Sequence, residues 1–145
     1  MFDYADIVWG DRGNECLMSD LQVLQNKAAR IILDLSYRSS ASAALQRLSW
    51  VNLKIRRKMH RLIFIYKCKN NFFSHRFDLR YHQDIHRHNT RFKSNICKTA
   101  AKRRWGHWTS INFASSDWNN LNQDTREAKD IATFKKLVKG MGANL

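Results

Sequence analysis

Apolar residues return at helical spacing in several separate stretches of the chain, and polar breaks divide them. Leu21, Leu24, Ala28, Ile31, Ile32 and Leu35 form the clearest series, with Ser19 as a capping residue. Gln22, Gln25, Asn26, Arg30 and Asp34 fall mainly on the other face. Residues 36–42 break the pattern, and residues 43–50 predict a short second helix with Leu45, Leu48 and Trp50 on its buried side. Asn52 caps a third helix that runs to about Asn70. Its apolar face is Ile55, Met59, Leu62, Ile63 and Tyr66, and Lys54, Arg57, Lys58 and Arg61 make a ridge opposite. Between residues 71 and 110 the periodicity fails. Regular spacing returns with Trp118 and Leu121 as a packing pair on a short helix. A final helix over residues 130–139 has Ile131, Phe134, Leu137 and Val138 inside and a stop at Gly140.

The first residues read as one or two apolar turns over 2–9, ending at Gly10, with a polar turn over 11–14. The expected architecture is mainly α: a small helical domain with a long irregular basic region between the third helix and the C-terminal helices. One domain is expected over 1–145, helical over residues 1–70, basic and irregular over 71–110, and helical again over 111–145. The abrupt apolar start, with no cap before it, reads as a fragment of something larger.

Charge changes this picture. Residues 54–104 hold sixteen Lys and Arg against two acids, Asp78 and Asp84, a net of +14 that equals the formal charge of the whole chain. The flanks therefore cancel. Like charges three and four apart on one helix face repel by a few tenths of a kcal/mol per pair, and so dense a cluster destabilises a compact fold unless a polyanion neutralises it. A nucleic-acid footprint is the expectation, with a solvated helix face as the plain alternative for the ridge. With 43% hydrophobic residues the chain is globular, not a disordered basic tail. Three widely spaced cysteines, Cys16, Cys68 and Cys97, fit a reducing compartment better than a disulfide framework. Apolar runs are too short to span a bilayer, so no membrane partner is expected and the chain reads as soluble and intracellular. Proline is absent altogether, which leaves helix ends to Gly, Asn and Ser.

Several groups of residues invite a chemical reading. Tyr4-Ala5-Asp6 resembles half of a polymerase metal turn, but that turn needs two adjacent carboxylates and here Ile7 follows Asp6. Cys68, His75, His82, His86, His88 and Cys97 are zinc-ligand types without a C-x2-C pair or a closed-site spacing, so no metal and no cofactor is expected. No nucleophile–base motif or glycine-rich phosphate loop is present in the sequence. Aromatics interleave with cations in the irregular region. Trp105 and Trp108, beside Lys102-Arg103-Arg104, are candidates for stacking on unpaired bases, against the alternative that they serve the core.

Taken in order, Tyr4 to Gly10, Leu24 to Ile32, Leu48 to Arg57, Ile65-Tyr66-Lys67, Trp118 to Leu121 and Phe134-Lys135 resemble the C-terminal, post-polymerase region of reverse transcriptases from non-LTR (LINE-type, jockey-like) retrotransposons. The resemblance spans nearly the whole chain and is weakest over 71–110. The family often has proline where Ser74 and Asn122 stand here. The resemblance implies a nucleic-acid-binding accessory segment of an RNA-directed DNA polymerase. On that reading the segment is nuclear, is not an enzyme on its own, and has its catalytic aspartates upstream. The residues expected to meet RNA or DNA are Lys54, Arg57, Lys58, Arg61, Arg87, Arg91, Lys102, Arg103 and Arg104, with Trp105 and Trp108. The alternative is a protein-interaction module that docks on an upstream polymerase domain or an acidic partner.

Overall fold

The computed structural model describes residues 6, 15–73, 79–85, 91–98, 100, 102 and 110–142. Among these residues it is mainly helical, with seven helices: α1 (Glu15–Ile32), α2 (Ala41–Arg47), α3 (Leu53–Lys69), α4 (His82–Ile85), α5 (Ser110–Asn119), α6 (Gln123–Arg126) and α7 (Ile131–Gly142). The expected small helical fold is the one observed.

Local chemistry sets most helix boundaries. Asn52 caps α3 as expected, its Oδ1 accepting from the Lys54 N–H at 2.8 Å. Ser40 caps α2 and Asn122 caps α6 in the same manner. Asp130 does so for α7, its carboxylate accepting from the Thr133 N–H at 2.7 Å. Three helix ends, those of α1, α2 and α3, share one device. Asp34, Ser49 and Asn71 adopt left-handed φ of 50°, 54° and 55°. At each, the next residue donates its N–H five residues back: Leu35 to Arg30, Trp50 to Leu45 and Phe72 to Lys67. This closes the helix on itself, usually with glycine at the turning position. Here short polar side chains take that place, each followed by a large apolar residue.

The core lies where α3, α5 and α7 meet. Leu62, Ile65, Tyr66, Ala114, Trp118, Leu121, Phe134 and Val138 are buried together with Ile96 from the irregular segment. Tyr66 stacks on Phe134 with ring centroids 4.4 Å apart, and Trp118 meets the same ring at 5.8 Å. The Tyr66 hydroxyl donates to the Ala128 carbonyl at 2.9 Å, so its one polar atom is satisfied at the core edge. Trp118 and Leu121, expected as a packing pair on a short helix, are both buried in this cluster, with Leu121 just past the end of α5.

Several expected positions differ. Ser19 lies within α1, which is already helical from Glu15. Leu24, Ile31 and Ile32, expected inside, are exposed, and Ile31 is 78% exposed. Gln25, expected outside, is buried instead. The reason is a polar contact that outranks periodicity: Gln25 donates to the Val51 carbonyl at 3.1 Å, and Gln22 accepts the Leu53 N–H at 2.9 Å while donating to Gln25 and Asn26. α1 thus turns a glutamine ladder toward the chain entering α3. Trp50 and Leu137 are exposed rather than buried, and α7 continues through Gly140 to Gly142. Nothing blocks that continuation, because open space surrounds the Gly140 position and no proline follows.

Among its described residues the irregular region holds one antiparallel bridge, Tyr81 to Ile96, and the single turn of α4. Asn119 fastens it to α5 by pairing with the Ile96 backbone, accepting from its N–H and donating to its carbonyl, both at 2.9 Å. Among the described residues no helix is long and apolar enough to cross a membrane.

Candidate nucleic-acid interface

The sixteen cations of residues 54–104 separate by position. Lys54, Arg56, Lys69, Arg80, Arg91, Lys93, Lys98 and Lys102 are exposed, whereas Arg57, Lys58 and Lys67 are half-buried. Arg61 is buried. Arg76, Arg87, Arg103 and Arg104 lie outside the described residues, as do Trp105 and Trp108.

The ridge expected on α3 is therefore not a uniform cationic edge. Lys54, Lys58, Arg61, Ile65 and Cys68 follow one another at alternating steps of four and three, so they form one stripe of the helix. That stripe is exposed at Lys54, half-buried at Lys58 and enclosed from Arg61 onward, because α5 packs across its C-terminal half. Arg61 donates from Nε and Nη2 to the Asp117 Oδ2 of α5, at 2.8 and 2.6 Å, with both side chains more than nine-tenths buried. Arg61 therefore holds two helices together and is not part of the exposed cationic surface. Arg57 turns toward α1, where its Nη1 reaches the Met18 sulfur at 2.7 Å. A stripe starting with lysine and ending in the core reads as wholly solvent-facing while only its cationic half is considered.

The cations left exposed among the described residues are Lys54 and Arg56 at the start of α3, Lys69 at its end, and Arg80, Arg91, Lys93, Lys98 and Lys102 of the irregular segment. The first α3 amides are already occupied, Leu53 by Gln22 and Lys54 by Asn52, so an anion there would meet side-chain cations and not the helix terminus. Of the aromatics in the irregular region, Phe72 and Phe92 are exposed and Phe73 packs on Phe64 with centroids 5.6 Å apart.

The other groups raised by the sequence also have positions. Asp6 is helical and buried, and its carboxylate lies 2.7 Å from His60 Nδ1 on α3; the rest of the apolar turns expected over 2–9, and the polar turn over 11–14, lie outside the described residues. Of the Cys/His group, His75, His86 and His88 lie outside the described residues. Among the described residues no three His, Cys, Asp or Glu side chains come together as metal ligands would. Burial pushes the Cys68 thiol up to about 11, and burial followed by Asp84 raises Cys97 in the same direction.

Comparison with protein-family models, with characterised proteins and with solved structures gives no match.

Proposed function

We propose that this chain binds the sugar–phosphate backbone of RNA or DNA with little regard for sequence. It would do so as the accessory, post-polymerase segment of a non-LTR retrotransposon reverse transcriptase, without catalytic activity of its own. The observation that carries the reading is the +14 charge confined to residues 54–104. Among its described residues eight cations are exposed, while Arg61 is drawn into the core. The retrotransposon context rests on the ordered sequence resemblance given above. Lys54, Lys58, Arg91 and Lys102 are the residues assigned to phosphate, with Lys93 and Lys98 beside them. Arg61 is excluded.

A filter-binding salt titration tests this. Replacing Lys54, Lys58, Arg91 and Lys102 together with alanine should weaken binding to every sequence alike. It should also flatten the dependence of log K on log salt by about 0.7 to 0.9 for each phosphate no longer neutralised. Unchanged affinity and slope would overturn the reading. Weak, salt-sensitive adhesion to any polyanion, with no tighter complex on RNA or DNA, would favour docking on an acidic protein instead.

A further inference from the structure

A cleft of about 380 Å³ opens where residues 81–83 and 94 meet the end of α3 and the helix α6, lined by Lys69, Tyr81, Gln83, Ser94, Gln123 and Glu127. Its walls are fixed by bonds that need no ligand. Arg126 donates from Nε to the Leu121 carbonyl, from Nη1 to Asn95 Oδ1 and from Nη2 to the Asn119 carbonyl, at 2.9, 2.9 and 3.1 Å. Asn119 in turn grips both backbone groups of Ile96. Lys69 Nζ sits 5.7 Å above the Trp118 ring and donates to the Arg126 carbonyl at 3.2 Å. An ammonium has three donors, and that bond takes one.

The lining defines the ligand. Two exposed amides, Gln83 and Gln123, each offer donors and an acceptor, while the Glu127 carboxylate accepts only. Gln123 donates to Glu127 at 2.8 Å, which holds those two side chains together and leaves the second carboxylate oxygen for a ligand. Such a set suits the edge of a nucleobase, whose N–H groups can meet Glu127, with Lys69 as the cation for the attached phosphate. The volume lies at the small end of the range of about 300–1,000 Å³ for ligand sites. A single nucleotide is of that size. The cleft also belongs to the basic segment itself, since the Gln83 N–H donates to the Lys93 carbonyl and Ser94 neighbours Lys93.

We propose that this cleft takes one unpaired nucleotide of the bound strand, with its phosphate toward Lys69 and its base edge toward Gln83, Gln123 and Glu127. The proposal rests on the nucleic-acid reading above and adds to it a preference for unpaired strands. In a duplex the base edges are paired and stacked, whereas an unpaired base can be splayed out and read by side chains. A backbone-only binder has no such preference beyond charge density.

The test compares a short single-stranded oligonucleotide with a duplex of the same sequence at matched salt, using the wild-type chain and the double variant Gln83→Ala, Gln123→Ala. Both glutamines are exposed, and circular dichroism checks that the variant folds. The wild type should hold the single strand more tightly than the duplex. The variant should lose roughly tenfold on the single strand, the effect of one or two hydrogen bonds, and nothing on the duplex. Equal affinities in the wild type, or an equal loss on both strands, overturns the cleft while leaving backbone binding in place. No salt-sensitive binding to either overturns both readings.

Discussion

The Arg61–Asp117 pair gives the sharpest test of how the basic segment is divided between fold and surface. Its guanidinium places two donors on one carboxylate oxygen, at 2.8 and 2.6 Å, with 7% and 6% of the side chains exposed. Arg61→Ala would leave the Asp117 carboxylate in a site built for its partner. Breaking a buried pair from one side costs about 3–5 kcal/mol, a large share of the roughly 5–15 kcal/mol that holds a domain together. Asp117→Ala should be similarly severe. Replacing both, as Arg61→Met with Asp117→Leu, should recover most of the loss, because apolar substitutes of similar volume avoid the desolvation penalty. Urea unfolding of the four proteins, treated as a double-mutant cycle, supplies the coupling energy directly. If Arg61→Ala costs under about 1 kcal/mol, as exposed pairs do, water reaches the pair and the buried assignment fails. A second readout is independent of stability. The double variant should keep the wild-type salt dependence for nucleic acid, and a slope lowered by about 0.7–0.9 would mean that Arg61 does contact phosphate.

Other outcomes follow from local geometry. Gly140→Ala should stabilise the chain by about 0.5–1 kcal/mol in thermal or urea unfolding, since the helix runs through it and a Cβ there meets nothing within 4 Å; a loss would contradict the open surroundings. Cys16 is exposed while the Cys68 thiol is pushed up to about 11, so iodoacetamide at neutral pH should modify Cys16 well before Cys68. Equal rates would show that α3 is not packed as described. The backbone N–H and then the hydroxyl of Thr133 hold the Asp130 carboxyl below its ordinary 3.8. Because the folded value is depressed, its contribution is present above 3.8 and lost as pH falls through the folded value. Thr133→Val should move the carboxyl back upward in an NMR titration, and an unmoved Asp130 would remove the hydroxyl from the cap.

Helical class, the Asn52 cap, the Trp118–Leu121 pair and the burial of Phe134 and Val138 were legible in the residues alone. Each depends on neighbours two to four positions away, which one sequence displays. The concentration of charge in residues 54–104 was equally legible, because it is a count. Tertiary packing decided which of those charges reach solvent. Arg61 and Lys58 differ by less than one helical turn, yet α5 crosses the first and leaves the second half open. Asp117 lies 56 residues away and shows no local sign of its partner. Gln25 likewise reads as polar and outward until the Val51 carbonyl, 26 residues on, comes within reach of its amide. The cleft beside Lys69 draws its lining from four separate stretches of the chain, so no spacing announces it. Periodicity assigns a residue to a face of its own helix, but only the neighbouring helix determines whether that face meets water, a carboxylate or the core.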